Sequence, residues 1–285
     1  MVVGALALFR RRRSRRRRVV GTPTPHWHDE TVNRDRGIVI IPTYNEAQNI
    51  ELILDRVRAC VPQLAVLVVD DDSPDGTGEL AAKVASHDSH VQVLHRSEKT
   101  GLGDAYLAGF ALALQRDYDV IIEMDADGSH LPEQLPRLLD AIGDADLVIG
   151  SRWVPGGRVV NWPMRRELLS RGANTYANLM LGVGVHDATA GFRAFRSSTL
   201  ETIDLTSVRS HGYCFQIDLT RRVADAGLRI AEVPITFVER VYGESKMTGS
   251  IVREALVRVT QWGVQHRLRQ VRGATAHALE RSWGR

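Results

Sequence analysis

The chain reads as an α/β fold: an open, mainly parallel sheet with helices on both faces, followed by a C-terminal amphipathic helix. Three observations predict this. From Gly37 onward, short β-branched runs alternate with longer amphipathic ones, the pattern of βαβ units. Acidic and polar residues crowd directly behind the short runs, where open α/β sheets bind ligands. The length of 285 residues, with 44% hydrophobic and 25% charged residues, suits one large α/β domain and argues against a disordered chain.

In chain order, residues 1–36 combine an arginine run, the Gly21-Thr-Pro-Thr-Pro25 stretch and a polar segment, and are expected to form a disordered basic arm. The folded domain is expected over 37–248. Strand and helix patterns alternate as Ile38 to Ile41, Ala47 to Val61, Ala65 to Val69, Gly76 to His87, Val91 to Leu94, Gly101 to Arg116, Val120 to Met124, Pro132 to Ile142 and Leu147 to Ile149. The regularity then lapses into a Gly/Pro-rich loop, Val154 to Pro163, and a helix around Arg165 to Leu181. A strand follows at Phe192 to Phe195, then a helix near Phe215 to Ala226 and strands at Leu228 to Val233 and Ile235 to Val238. Residues 249–285 hold the last amphipathic helix, from about Ile251 to Arg269, and a tail.

Charge and composition exclude several functions. The net charge is +3, but eight arginines lie between Arg10 and Arg18, and removing them leaves about −5 for the rest. A folded domain of that charge is a poor nucleic-acid binder, because tracking phosphates needs basic residues spread over one face. Cys60 and Cys214 stand far apart, with no CxxC and no Cys/His cluster, so zinc and a disulfide framework are disfavoured and a reducing, cytoplasmic setting is expected. The longest apolar stretches fall far short of the ~20 residues that span a bilayer. Met1 to Phe9 is apolar and precedes its arginines, the reverse of a secretory signal.

The chemistry is written at the strand ends. They read Pro42-Thr-Tyr-Asn-Glu46, Asp70-Asp-Asp-Ser-Pro-Asp-Gly-Thr77, Asp125-Ala-Asp127 and Gly150-Ser-Arg152. Neither GxGxxG nor GxxxxGK[ST] is present, so a phosphate held here needs a cation among the carboxylates. Asp125 and Asp127, two residues apart on an extended chain, project to one side, and two hard oxygen ligands at that spacing suit Mg²⁺ or Mn²⁺ carrying a diphosphate. His130, His186 and His211 lack metal-ligand spacing and read as structural histidines.

In this order these motifs resemble family-2 glycosyltransferases of the GT-A fold. Within that family, Asn161-Trp-Pro163, Ser170-Arg-Gly-Ala-Asn174, Asp187-Ala-Thr-Ala-Gly-Phe-Arg193, Gly212-Tyr-Cys-Phe-Gln216 and Glu239-Arg-Val-Tyr-Gly-Glu-Ser-Lys-Met247 are similar to the polyprenol-phosphate (dolichol-phosphate) mannose synthases. The resemblance covers roughly residues 37 to 250. It implies that Pro42, Tyr44, Glu46, Val69 and Asp71 contact the nucleoside, and that Asp125, Ala126 and Asp127 form the metal and diphosphate motif. Ser129 stands where some relatives carry a Gln metal ligand, which leaves the third protein ligand open. Arg152, Arg166, Arg240 and Lys246 match residues that contact phosphates of donor or acceptor, and Asp127 and Arg152 are the candidates for the catalytic role. Asp187 and Gln216 lie in motif segments and are candidates to shape the sugar or acceptor pocket.

The implied activity is inverting transfer of mannose from GDP-mannose to a polyprenyl monophosphate, with Mg²⁺ or Mn²⁺. A phosphate acceptor is already ionised at neutral pH, so the absence of an obvious general base fits it; a hydroxyl acceptor would need one. Two other readings remain open. One is a UDP-sugar (glucosyl) transferase on the same fold; the other is a binding protein acting through its arginine arm. Without a span, the chain is expected to be peripheral at the cytoplasmic face of the membrane. The arm on anionic lipid, the apolar Met1 to Phe9, the last helix (Ile251, Val252, Ala255, Leu256, Val259, Trp262) or a membrane-protein partner are the routes to that surface.

Overall fold

The computed structural model describes residues 32–208, 212–240, 255–265 and 267. The first four βα pairs are wound as the alternation implies. They run β1 (Gly37–Thr43), α1 (Ile50–Cys60), β2 (Ala65–Asp70), α2 (Thr77–Ala85), β3 (Val91–His95), α3 (Leu102–Gln115), β4 (Val120–Glu123) and α4 (Leu135–Ala141). Then come β5 (Leu147–Ser151), β6 (Arg158–Val160), α5 (Met164–Leu181), β7 (Arg193–Arg196), α6 (Ser197–Thr202), α7 (Tyr213–Asp225), β8 (Ile230–Pro234) and β9 (Thr236–Val238).

Seven strands form one sheet in the order β3-β2-β1-β4-β7-β5-β8, and all are parallel except β7, which runs antiparallel to both neighbours. Strand β1 shows why the sheet is covered twice. Its alternate residues Ile38 and Ile40 join one core with Tyr106, Phe110, Ala177 and Phe215 of α3, α5 and α7. Val39 and Ile41 join the other, with Ile53, Leu54, Ala81, Leu135 and Leu138 of α1, α2 and α4. Helix α3 approaches β1 closely because residue 109 is glycine: a Cβ there would stand 2.6 Å from Ile40 Cγ2.

Three features depart from the sequence pattern. The expected loop Val154 to Pro163 contains β6, which pairs in parallel with β9 as a two-stranded sheet of its own. The short helix α6 follows β7 directly, and β8 starts at Ile230 instead of Leu228. Three-residue strands and six-residue helices carry too few periods to register in a sequence pattern. Residues 255–265 are helical: Val259 is buried in the core of α3, α5 and α7 with Trp262 packed against it, while Leu256, Val257 and Val264 are exposed. Ile251, Val252 and residues 1–31 of the arm lie outside the described residues, whereas residues 32–36, expected to belong to the arm, are tied to the fold: Val32 packs against the core, Arg34 pairs with Asp140 and the Arg36 carbonyl accepts the Asp119 N–H. Among the described residues no helix is long and apolar enough to cross a membrane.

Candidate active site

The order 3-2-1-4 places a topological switch between β1 and β4, and the polar segments gather at the carboxyl edge around it. Asp70, at the end of β2, organises that edge. Its carboxylate accepts from Thr43 Oγ1 (2.9 Å), Ser73 N (3.1 Å) and Ser73 Oγ (2.6 Å). Asp75 likewise accepts from the backbone N–H groups of Ala47 and Thr77. The two loops are thus laced together, and Glu46 is drawn in by its N–H donating to Thr77 Oγ1 (2.9 Å). Val69 is fully buried within β2, while Pro42, Tyr44 and Glu46 are half-buried. Lys99 Nζ sits 3.6 Å over the Tyr44 ring. Asp71 is buried and paired with Arg96 (2.6 Å); burial raises its pKa, with Arg96 opposing the shift.

Behind β4, Asp125 is held from both ends. Tyr106 of α3, buried, donates its hydroxyl to Asp125 Oδ1 (3.1 Å), and the Asp125 backbone N–H donates to His130 Nδ1 (3.0 Å). His130 is therefore an unprotonated acceptor at Nδ1, stacked on Phe192 and edge-on to Phe237; burial lowers its pKa. This is the structural role expected of it. Asp127 accepts from Ser129 N (3.0 Å) on Oδ1 and faces Arg240 Nη2 (3.1 Å) with Oδ2. Ala126 between them is buried. Burial pushes the Asp125 carboxyl above the ordinary carboxylate range, and neighbouring Asp127 adds to the push.

Two adjacent carboxylates in such a setting call for a cation. Ser129 Oγ is buried without a hydrogen-bond partner, and the side chain of Asp125 is about one-third exposed (32%). Among the described residues no group of three His, Cys, Asp or Glu side chains could hold a metal. The donor set is thus two carboxylates and a hydroxyl, all hard oxygens. It fits Mg²⁺ or Mn²⁺, which commonly take one or two carboxylates and complete their shells with substrate phosphates and water.

Under this edge lies a buried polar layer. Glu123, fully buried in β4, lies beside Gln216, and burial raises its pKa to about 8 against the pull of Arg193 and Gln216. Arg193 faces it across the β4–β7 ladder and donates to the carbonyls of Ala190 (2.7 Å), Gln216 (2.9 Å) and Ala188 (2.7 Å). Gln216 is buried here, beneath the edge, beside Glu123.

The far side of the edge belongs to β5, α5 and β9. Arg152 is only 5% exposed, and Asp187 receives it as a fork, Nε to Oδ2 at 2.7 Å and Nη2 to Oδ1 at 2.6 Å, while Thr189 Oγ1 accepts at 2.9 Å. Asn174 of α5 donates to Asp187 and Thr189, and Glu232 accepts the backbone N–H of Asp187 (3.0 Å) and pairs with exposed His186 (2.8 Å). Arg166 pairs with Glu239, and its guanidinium lies 4.1 Å over the Trp162 ring. Asp125, Asp127, Arg152, Arg166 and Arg240 thus gather along one edge. Lys246, the Tyr242 to Lys246 segment and His211 lie outside the described residues. The partners Tyr106 and Glu232 escaped the sequence reading, and Asn174 and Glu239 entered it only inside motifs and without a role, since each is bonded to another segment of the chain.

The family model described as glycosyl transferase family 2 matches residues 38–204. The chain belongs to that family. A polyprenol monophosphomannose synthase of Mycolicibacterium smegmatis is 59% identical over 240 residues, 84% of this chain and 91% of that protein. An undecaprenyl-phosphate mannosyltransferase of Micrococcus luteus is 59% identical over 232 residues, 81% of this chain and 96% of that protein. A dolichol-phosphate mannosyltransferase of Pyrococcus furiosus is 38% identical, covering 79% of this chain and 63% of that protein. Among solved structures, glucosyl-3-phosphoglycerate synthase of Mycobacterium tuberculosis, in complex with Mn²⁺, UDP-glucose and phosphoglyceric acid, superposes with a TM-score of 0.61. It is 20% identical, with 85% of this chain and 86% of that chain covered, a likeness of GT-A fold.

Proposed function

We propose that this glycosyltransferase moves mannose from GDP-mannose to a polyprenyl monophosphate, with inversion at the anomeric carbon. The observation that carries the reading is the Asp125/Asp127 pair at the switch point, flanked by Arg240. Three relatives that cover most of the chain are named as a polyprenol monophosphomannose synthase, an undecaprenyl-phosphate mannosyltransferase and a dolichol-phosphate mannosyltransferase.

Asp125, Asp127 and the Ser129 hydroxyl would hold Mg²⁺ or Mn²⁺, which when bound neutralises charge growing on the diphosphate leaving group. Tyr106 and His130 fix Asp125, so the ligand is oriented before substrate arrives. Arg240 stands 3.1 Å from Asp127, placed to follow the diphosphate as its charge develops. Pro42, Tyr44, Glu46, Val69 and Asp71 line the nucleoside side. On the acceptor side Asp187 is committed to Arg152 and Glu239 to Arg166, so neither is poised to remove a proton. An acceptor phosphate, already ionised, needs no base, and catalysis becomes alignment plus leaving-group stabilisation.

The arm's arginines would attach the enzyme to the anionic cytoplasmic face of the membrane, at up to about 1 kcal/mol each before screening. A membrane-protein partner would serve the same end. Radiolabelled transfer into organic-extractable lipid, comparing GDP-mannose with UDP-glucose, tests the reaction. Label from GDP-mannose alone is the expected result, and label from UDP-glucose alone overturns the donor. Activity on anionic liposomes should fall with salt more steeply for the full chain than for one starting at Arg36.

A further inference from the structure

Asp127 is engaged on both carboxylate oxygens, and the two contacts differ in kind. Oδ1 accepts the backbone N–H of Ser129 at 3.0 Å, inside its own loop, whereas Oδ2 faces Nη2 of Arg240 at 3.1 Å, from the segment behind β9. The Asp127 side chain is 9% exposed and that of Arg240 is 21% exposed, so the pair is largely withdrawn from water. Backbone contacts deliver Arg240 to this place. The Val238 N–H donates to the Ser129 carbonyl (3.2 Å), Phe237 and His130 form an isolated antiparallel bridge, and the Glu239 N–H donates to the Val160 carbonyl (3.0 Å). The metal loop and the end of β9 are thus one unit, from which the Arg240 side chain departs beside Asp127.

The charges at this edge are distributed unevenly. Arg152 faces Asp187 and Arg166 faces Glu239, while Arg240 faces the metal motif itself. His130, beside Asp125, accepts a backbone N–H through Nδ1, and burial favours its neutral form, so it brings no charge there. Burial raises the Asp125 pKa and Asp127 adds to the rise, with Arg240 opposing both. Arg240 therefore compensates the two carboxylates from outside their loop. A divalent cation bound by Asp125 and Asp127 would need the oxygen that Arg240 now faces. A guanidinium and a metal ion repel at such range, so the ion reaches Asp127 by displacing Arg240, and a displaced guanidinium needs another anion within reach. The diphosphate carried by the metal is such an anion.

We infer that Arg240 holds the place of the cation on Asp127 and yields it when metal and diphosphate arrive together, so that each strengthens the binding of the other. The inference rests on the proposed metal site and nucleotide donor, and adds to them a coupling between the two. Metal without diphosphate leaves Arg240 displaced and unmatched. Diphosphate without metal draws Arg240 away and leaves Asp125 and Asp127 uncompensated beside each other. Either ligand alone therefore binds at a disadvantage that the second removes, and the coupling is reciprocal.

Mn²⁺ binding to the full-length protein, read from the electron paramagnetic resonance signal of the free ion, tests this without turnover. Arg240→Gln removes the competing charge and should bind Mn²⁺ about tenfold tighter than wild type in the absence of nucleotide, the factor expected for one hydrogen bond to a charged group. Arg240→Lys keeps the charge and should stay near wild type. GDP, corrected for its own affinity for Mn²⁺, should tighten the ion on wild type by a larger factor than on Arg240→Gln. Asp127→Ala should lose the bound ion with and without GDP. Equal Mn²⁺ affinity in wild type and Arg240→Gln, equal tightening by GDP in both, or a gain in Arg240→Lys as large as in Arg240→Gln overturns the inference and leaves the metal site in place. Mn²⁺ that binds the Asp127→Ala protein as it binds wild type overturns the metal site, and the inference with it.

Discussion

The two sides of the carboxyl edge are built differently. On the side of β1, β2 and β4, polar groups are held largely within their own loops: the carboxylates of Asp70, Asp75 and Asp127 accept from Ser73, Thr77 and Ser129, and the Asp125 backbone N–H donates to His130. On the side of β5, α5 and β9, the bonds span long stretches of chain, as with Arg152 to Asp187, Asp187 to Glu232, and Arg166 to Glu239. A loop that organises itself can be read from a short motif. An ion pair between distant segments depends on the whole topology being right. The metal side should therefore lose chemistry when a residue is changed, and the arginine side should lose stability too.

The largest effect should come from Asp127→Ala. Removing an anionic ligand from the pair should lower kcat by at least on the order of a hundredfold, with the circular dichroism spectrum and denaturation midpoint close to wild type. A folded variant of normal turnover across Mg²⁺ and Mn²⁺ concentrations would break the comparison at its metal side.

Asp187→Asn should act in the other manner. Arg152 is buried and would keep its charge after losing its carboxylate, a change that costs about 3–5 kcal/mol when one partner of a buried pair is removed. Chemical denaturation should show the drop, together with weakened transfer. A variant as stable as wild type would mean that Thr189 and solvent compensate Arg152 without Asp187.

The smallest effect belongs to a surface pair outside both sides. Arg56 of α1 forks onto Glu133 (2.9 and 2.7 Å), and that hydrogen bonding holds the Glu133 carboxyl below its ordinary pKa. Its contribution is present above the ordinary carboxylate pKa and is lost as pH falls through the depressed value of the folded state. Glu133 is more than half exposed, so screening limits the pair to within about 1 kcal/mol. Glu133→Gln should be slightly less stable than wild type at pH 7, with the gap closing in acid; a gap that persists in acid would contradict the assignment.

The same contrast explains what the sequence could disclose. Strands β1 to β5 and their helices have strong periods, so the fold was legible, and Asp125-Ala-Asp127, which follows its strand immediately, could be placed at the carboxyl edge. Arg152 was singled out from the surface by its position after β5 and is buried, but its partner lies 35 residues on, beyond any local pattern. Strand β7 was legible as a strand and not as a reversed one. Its direction follows from pairing with β4 and β5, and it brings residues 186–192 to the site instead of the opposite end of the sheet. Trp162 was visible only as a letter in a motif and Trp153 in none, because a donor orphaned by burial, as their indole N–H groups are, exists only once a side chain has been buried.

Arg193 carries a consequence for how that reversed strand finds its place. Strands of Val, Ile, Ala and Phe slide past one another with little to tell one alignment from the next, and a slip by one residue exchanges the two faces. In the observed alignment Arg193 faces Glu123 and meets the Gln216 carbonyl of α7 as well as the nearby carbonyls of Ala188 and Ala190. Any other alignment would leave a guanidinium stranded inside the sheet, which makes the shifted states costly more than it makes the correct one stable. A buried arginine at the start of β7 thus works as a proofreader of assembly, and the position of Asp187, six residues upstream, is inherited from it.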